Sequence, residues 1–271
     1  AGSRYWFCCN PEHPFHWFYR EWIEKAEEKN CLYLHFTMRD NPSLTPEIRQ
    51  RYEGLYSGSF YRRFVLGEWC APSGAVYPMF SAERHVAKEL PPGLTDWYLS
   101  CDYGTVNPCS IGLWGYCPAE GVWYRTAEYY HDSRREGVQK TDEEYYAALC
   151  RLAGDRPIRG ITVDPSAASF MECIRRHGVY PVIPAKNDVL DGIRRVSDLL
   201  QSGRLRFFAS CRDTLREFSQ YCWEENAPED RPRKEFDHAM DEIRYFVSTV
   251  LSGHPATVSY THLTLPTNRE V

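Results

Sequence analysis

Two short apolar segments of this chain end on an acidic residue, and this pattern restricts the fold more than any other feature of the sequence. Residues 97–102 (WYLSCD) stop at Asp102, and residues 159–164 (RGITVD) stop at Asp164. An isolated ionised carboxylate in an apolar setting is costly unless it is paired or bound to a metal. A strand that delivers an acid to its own end therefore indicates either a turn that the aspartate caps or a site at one edge of a sheet.

Strand and helix patterns alternate after the first of these segments. Two strand patterns flank PAEG at residues 118–121, which predicts a β-hairpin with glycine in its turn. Helical and strand patterns then alternate from residue 141 to residue 208, and helical patterns cover 211–225 and 237–251. This order predicts an α/β fold, in which helices pack on a mixed β-sheet.

Residues 1–75 form a separate first part. It has no G-x-x-x-x-G-K motif, and neither does the rest of the chain, so a phosphate-cradling loop of that type is absent from the sequence. The predicted elements of this part are strands at 5–9 (YWFCC) and 31–38 (CLYLHFTM), and helices at 14–29 and from about Pro46 to Gly54 or Gly58.

Composition excludes two classes of protein. With 43% hydrophobic residues among 271 the chain is expected to be globular rather than disordered. No apolar run approaches the roughly 20 residues that span a bilayer, so a soluble, intracellular protein is expected. The net charge of −5 neither indicates nor excludes a nucleic-acid partner, because a basic groove can lie on an acidic protein.

The cysteines do not follow a metal-binding pattern. There are eleven of them, and none forms the C-x-x-C pair that is typical of structural zinc sites. Several occupy apolar positions of predicted strands or helices. We therefore expect reduced and mostly buried thiols, as in a reducing cytosol.

Both ends of the chain look unnatural. The sequence begins without methionine, in a strand pattern that is already under way. Residues 258–271 resemble translated sequencing-adapter read-through, and the alternative is a real edge strand, VSYTHLTL. We expect residues 253–271 to be a non-native or disordered tail and the chain to be a fragment cut at both ends.

The last helical pattern adds further acids. Asp237 and Asp241 are four residues apart and His238 and Asp241 are three apart, so each pair shares a helical face. Asp237, near the helix start, also suits the positive end of the helix dipole. The opposite stripe is apolar and is expected to pack on the sheet: Met240, Ile243, Val247 and Val250.

Converging carboxylates favour a divalent cation. If strands end side by side at Asp102 and Asp164, and the last helix brings Asp241, the acids would repel one another and some would protonate. Oxygen-only ligands select Mg²⁺ or Mn²⁺ over zinc. Two such ions, about 3.5–4 Å apart, can activate a water and stabilise the leaving oxygen of a phosphodiester. Taken singly, each aspartate can equally be a turn former, a helix cap or a solvated residue.

The same segments resemble the large terminase subunit of tailed bacteriophages, in the branch found in defective prophages. The resemblance covers residues 75–250 and rests on LSCDYG, ITVDPSAASF, NDVLDGIRRVSDLLQSGRLRF, YCWEE and DHAMDEIRYFV, in that order. It implies a ribonuclease H-like nuclease domain at 76–252 that cuts concatemeric viral DNA during packaging. The family's metal-binding acids correspond to Asp102, Asp164 and Asp241, and Asp237 and His238 match accompanying positions.

The first part is similar to the end of the terminase ATPase domain. FCCNPEHPFHWFY resembles the strand that carries a TNP-type coupling motif, although Cys8 and Cys9 depart from it, and Asn10 is the matching polar residue. The resemblance implies that residues 1–75 are a remnant of that domain. ATP would be a cofactor only of the full-length protein, and we expect no ATPase activity from this chain.

The resemblance makes double-stranded DNA the expected partner, with the small terminase subunit and the portal protein, in the cytoplasm of a bacterial host. A transposase or a resolvase on the same fold, and a DNA-binding or assembly module without catalysis, are the alternatives. The hairpin aromatics Trp114, Tyr116, Trp123 and Tyr124 are expected to pack rather than to stack on bases. The basic residues expected to flank the acids are Lys186, Arg194, Arg195, Arg231, Arg233 and Lys234.

Overall fold

A seven-stranded mixed sheet forms the centre of the protein, with strand order β1-β7-β4-β3-β2-β5-β6. The computed structural model describes residues 5–14, 16–54, 56, 58–70, 73–225 and 227–251. The predicted α/β fold with a mixed sheet is confirmed. The strands are β1 (Val86–Ala87), β2 (Thr95–Asp102), β3 (Cys109–Cys117), β4 (Val122–His131), β5 (Ile158–Val163), β6 (Val182–Pro184) and β7 (Leu205–Phe208).

Helices cover both faces of this sheet. Thr141 caps the helix at Asp142–Ala153 through a reciprocal pair of hydrogen bonds with Glu144. The described helices are α1 (Pro46–Glu53), α2 (Gly58–Phe64), α3 (Ala82–His85), α4 (Ser133–Glu136), α5 (Asp142–Ala153), α6 (Ala168–His177), α7 (Val189–Gln201), α8 (Arg212–Gln220) and α9 (His238–Val250). Among the described residues, none of the helices combines the length and the apolar character that crossing a bilayer requires.

Strand pairing brings the two strand-end acids to one edge of the sheet. β2 and β5 are parallel neighbours, with Cys101 opposite Val163. Asp102 is the last residue of β2, and Asp164 directly follows β5. Because adjacent strands lie about 4.8 Å apart, both carboxylates leave the sheet side by side. β4 also ends at this edge, since β3 pairs antiparallel with both β2 and β4.

The core has two parts, one on each face. α5 and α6 pack on one face through residues such as Leu99, Ile161 and Phe170. α7, α8 and α9 pack on the other, and Met240, Ile243 and Val247 of α9 are buried there, as the apolar stripe predicts. Trp114 and Trp123 are buried in this second part, and Trp114 stacks on Phe246 with ring centroids 4.3 Å apart.

A buried ion pair fastens α9 to the middle of the sheet. Arg125 of β4 donates to Glu242 of α9 at 3.0 Å from Nε and 2.7 Å from Nη2, and both side chains are completely buried. Ser100 and Trp114 donate to the second oxygen of the same carboxylate. Gly112 faces this network, and a Cβ there would collide with Glu242 and Arg125.

The predictions for the first part were correct only in places. The helix α1 begins at Pro46 and ends before Gly54, as expected, and Thr45 caps it. Residues 5–9 and 31–37 are irregular and largely exposed, and a 3-10 helix covers Met38–Asp40, so the two predicted strands are wrong. An apolar run becomes a strand only where another strand pairs with it, and neither segment has such a partner among the described residues.

The helix predicted at 14–29 is present only in part. A π-helical turn covers Tyr19–Ile23, and hydrogen-bonded turns follow it. Asn10 lies in the exposed irregular segment before this helix. The tail predicted at 253–271, with its alternative edge strand, lies outside the described residues.

A second buried ion pair joins the first part to the sheet domain. Arg63 of α2 donates to both carboxylate oxygens of Asp230 and, from Nε at 3.0 Å, to the carbonyl of Cys70. Ala75 forms an isolated bridge with Cys222. Contacts therefore run across the predicted boundary at residue 75, and the division at that residue stays a prediction.

Candidate metal site at the edge of the sheet

The N-terminus of α9 lies against the end of β2. His238, the first residue of α9, is hydrogen-bonded through Nδ1 to Oδ2 of Asp102 at 2.9 Å. The Nε2 atom of the same ring lies 3.7 Å from Oδ1 of Asp237. The histidine therefore stands between two of the predicted acids.

Asp164 is held by a neighbour that the sequence did not reveal. Tyr245 of α9 donates its hydroxyl proton to Oδ2 of Asp164 at 2.6 Å, and the backbone N–H of Ser166 donates to Oδ1 at 2.7 Å. Burial raises the pKa of Asp164, but these hydrogen bonds together outweigh it, so the pKa lies below its usual value. Asp164 is thus kept as a carboxylate with a fixed orientation.

The remaining two acids are also paired. Arg244 contacts Oδ1 of Asp241 at 3.0 Å from Nη2, and the N–H of Asp241 bonds the carbonyl of Asp237 at 2.7 Å. Lys234 lies 3.9 Å from Oδ2 of Asp237. Burial raises the pKa of Asp237, and His238 opposes that rise.

The charge state of Asp102 depends on its surroundings. Burial raises its pKa to about 6, the hydrogen bond from His238 lowers it, and the nearby charge of Asp241 raises it. Burial lowers the pKa of His238, but the bond to Asp102 and that carboxylate's charge outweigh this effect, so the pKa is raised. Around neutral pH the pair is a carboxylate beside a histidine that readily takes up a proton.

The donor set fits Mg²⁺ or Mn²⁺ rather than zinc. Asp102, Asp164 and Asp241 offer only oxygen atoms, the ligands that hard cations prefer. Of the residues the structure describes, these three do not bring one ligand atom each within 4.8 Å of one another. The ligands of a single Mg²⁺ lie at most about 4.2 Å apart, twice the metal–oxygen distance. In this arrangement the three carboxylates therefore do not together complete the coordination shell of one Mg²⁺ ion.

A cleft opens over these residues. It has a volume of about 860 Å³, and its lining includes Asp102, Asp237, His238 and Asp241. Asp164 is not among the lining residues, and Tyr245 covers one of its oxygens. The cleft is large enough for more than a phosphate group, and its lining also includes basic residues.

These basic residues, which we call the basic wall, lie mostly outside the set predicted from the sequence. Arg134 and Arg135 belong to α4, directly after β4, and both are exposed. Arg216 of α8 and the predicted Lys234 complete this wall. Because β4 ends at the same sheet edge as β2, the topology alone could have located Arg134 and Arg135.

Most of the basic residues expected to flank the acids lie elsewhere and are paired. Arg194 and Arg195 both contact Asp191, at 2.5 and 2.6 Å. Arg231 contacts Glu224 at 2.6 Å, and Arg233 lies 4.0 Å from Glu225. Lys186 is exposed in the segment between β6 and α7, where its backbone N–H bonds Thr249.

A buried glutamate sets the position of α9. Glu217 of α8 is fully buried, and one of its oxygens accepts a hydrogen bond from the backbone N–H of Ala239 at 2.6 Å. The other oxygen accepts from the hydroxyl of Tyr130 at 2.6 Å. Glu217 thus satisfies a free donor at the first turn of α9, the role of a helix cap. Spacing could have indicated Arg244 and Tyr245, three and four residues after Asp241, but not Glu217.

Comparisons with known proteins agree on one family. A family model described as terminase large subunit, T4likevirus-type, N-terminal, matches residues 2–84. A second model, described as terminase RNaseH-like domain, matches residues 119–249. The large terminase subunit of Escherichia phage T5 is 25% identical over 239 residues, which are 83% of this chain and 53% of that protein.

Solved structures give the same result. The large terminase of a thermophilic bacteriophage, solved in complex with ADP, is 47% identical, with a TM-score of 0.85 over 92% of this chain and 62% of that one. The nuclease domain of the P22 large terminase is 17% identical, with a TM-score of 0.53 over 65% of this chain and 91% of that one. The expected ribonuclease H-like fold is confirmed, and this chain spans about half to two thirds of the longer relatives.

Proposed function

Because the chain belongs to the terminase large subunit family of tailed bacteriophages, we propose that it is a metal-dependent endonuclease that cuts viral DNA. The observation that carries the proposal is the convergence of Asp102 and Asp164 at adjacent strand ends, with Asp241 on the helix packed over them. The double-stranded substrate would enter the cleft, whose lining includes Asp102, Asp241 and the basic wall.

Each residue of the site has a proposed role that follows from its position. Asp102, Asp164 and Asp241 would hold two Mg²⁺ or Mn²⁺ ions, which supply an activated water and charge stabilisation at the scissile phosphate. Tyr245 orients Asp164 through its hydroxyl. His238 and Asp237 adjust the charge of the site, and His238 is placed to accept or return a proton beside Asp102.

The proposed role extends to the assembly of the virus. In the host cytoplasm the full-length protein would cut concatemeric DNA, together with the small terminase subunit and the portal protein. We assign residues 1–75 to the end of the ATPase domain, with Asn10 at its coupling position, and residues 76–252 to the nuclease domain. Lys186, Arg194, Arg195, Arg231 and Arg233 remain proposed DNA contacts outside the cleft.

Removing divalent metal should abolish cutting. We expect the protein to nick supercoiled plasmid with Mn²⁺ or Mg²⁺ and to lose at least about a hundredfold of that rate in EDTA, because the carboxylates alone cannot activate water. Gel electrophoresis of nicked and linear plasmid measures the effect. Restoring Mn²⁺ in excess is the control, and undiminished cutting in EDTA would contradict the proposal.

The same assay separates the alternatives. A binding or assembly module retards the plasmid in a gel yet leaves it intact with every divalent metal. A resolvase cuts a four-way junction in preference to linear duplex DNA. The proposed nuclease cuts both substrates with little sequence preference, since no recognition helix is evident in the sequence.

The basic wall should set the salt dependence of DNA binding. We expect Arg134→Ala/Arg135→Ala to weaken duplex binding about tenfold and to reduce the slope of log Kd against log salt by about 2, one for each lost phosphate contact. Fluorescence anisotropy in EDTA measures binding without cutting. The matched control is Arg151→Ala/Arg175→Ala, which removes two exposed arginines of α5 and α6. An unchanged slope in the first variant would exclude this wall as the DNA surface.

A further inference from the structure

Three unlike metal-binding side chains meet on the surface at α5 and α6. Glu143 lies in the first turn of α5, and Cys173 and His177 lie on α6, four residues apart on one helical face. One ligand atom from each residue lies within 4.8 Å of the other two. α5 and α6 contribute no residue to the cleft described above.

The distances match a small tetrahedral coordination shell. The thiol of Cys173 donates to Oε1 of Glu143 at 3.5 Å, and Nε2 of His177 lies 2.8 Å from Oε2. Ligand atoms on a tetrahedral zinc ion lie about 3.3–3.6 Å apart, given zinc–sulfur and zinc–nitrogen lengths of about 2.3 and 2.0 Å. A shift of about half an ångström in the histidine or the glutamate would therefore make room for the ion.

The surroundings hold the ligands in place. The ring of Tyr146 stacks on His177, with centroids 3.8 Å apart and an angle of 6° between the planes. His177 is the last residue of α6, where the helix dipole favours a cation. Glu143 and His177 are exposed and Cys173 is buried, so the cluster lies at the surface over a covered thiol.

We propose that Glu143, Cys173 and His177 form a second metal site, selective for Zn²⁺ and similar thiol-binding ions, that ties α6 to α5. A thiolate and an imidazole select such ions over Mg²⁺. Three protein ligands leave the fourth position to water. Binding displaces the thiol proton of Cys173 to solvent, since the thiolate is the ligand. The site is independent of the proposed nuclease activity.

Cobalt is the probe, because Co²⁺ replaces zinc and absorbs visibly when a thiolate binds it. Titrating the full chain with Co²⁺ in excess Mg²⁺ should produce sulfur-to-cobalt charge-transfer absorption at one ion per chain, and Zn²⁺ should remove it. Mg²⁺ in excess occupies oxygen-only sites, so the band reports Co²⁺ bound by a thiolate. Absence of the band in the wild-type protein would overturn the proposal.

Variants assign the signal to these residues. Cys173→Ser should remove the band, and His177→Ala and Glu143→Gln should each weaken Co²⁺ binding at least about tenfold. The matched control is Cys150→Ser, which alters a half-buried thiol of α5 and should leave the band unchanged. If Cys173→Ser does not fold, the variants at the exposed residues His177 and Glu143 still test the proposal. Wild-type absorption in His177→Ala and Glu143→Gln would also overturn the proposal.

Discussion

Asp102→Asn and Asp164→Asn should each reduce plasmid nicking by at least about a thousandfold. Each change removes one negative charge from a proposed metal ligand while it keeps the shape of the side chain, so metal binding and water activation fail together. The amide oxygen of the asparagine at 164 can still accept the bond from Tyr245. The fold should therefore survive, and circular dichroism with initial nicking rates in Mn²⁺ measures both properties.

The matched control for these variants is Asp198→Asn. Asp198 is a partly buried aspartate on α7, outside the cleft, and burial raises the pKa of its carboxyl to about 6. A neutral amide is tolerated there, so nicking should stay within about twofold of the wild-type rate. Retained cutting in either the Asp102 or the Asp164 variant would eliminate the nuclease assignment.

Arg125→Met should destabilise the protein by about 3–5 kcal/mol, because it leaves the carboxylate of Glu242 buried without its cation. Burial already raises the pKa of Glu242, and Arg125 is the largest influence that opposes the rise. The loss should appear as a lower free energy of unfolding in urea, with an unchanged dependence on urea concentration. With the pKa of Glu242 raised further in the folded variant, unfolding releases a proton, so the variant's stability should fall as the pH rises toward neutral.

The double variant Arg125→Met/Glu242→Leu tests the cause. It removes both charges of this pair. Glu128, which Arg125 also contacts at 2.7 Å, keeps the hydrogen bonds from the backbone N–H groups of Asp213 and Thr214. Most of the lost stability should therefore return, as when a buried ion pair is replaced by apolar side chains. Trp114 keeps an acceptor, since its indole N–H also lies 2.7 Å from the hydroxyl of Ser100. If the double variant is as unstable as the single one, or if Arg125→Met loses less than about 1 kcal/mol, the ion pair does not fasten α9 as described.

The sequence predicted the parts of the site that depend on local patterns. Two apolar strand patterns end at Asp102 and Asp164, and helical spacing places Asp237, His238 and Asp241 near one another. The sequence also shows strands alternating with helices, and the parallel pairing of β2 and β5 agrees with that alternation. The apolar patterns of strands and helices repeat with a period of two or of 3.6 residues, so a single sequence is enough to find them.

The parts that were missed or wrong depend on contacts between distant residues. Glu217 caps α9 across 22 residues, and no motif links the two positions. The apolar runs at 5–9 and 31–38 have strand composition but no pairing partner in the described structure, and composition alone cannot supply one. Arg194 and Arg231 were expected near DNA for their charge, yet each has an acidic neighbour that only the folded chain reveals.

The contact between His238 and Asp102 joins residues 136 positions apart. α9 is the last helix of the described chain, so the site is incomplete until nearly all of it has left the ribosome. Segments that pair locally, such as the β3–β4 hairpin, form earlier, because closing a long loop is slow. A polypeptide that stops before residue 237 would lack Asp237, His238 and Asp241, and under the proposed function it would not cut DNA.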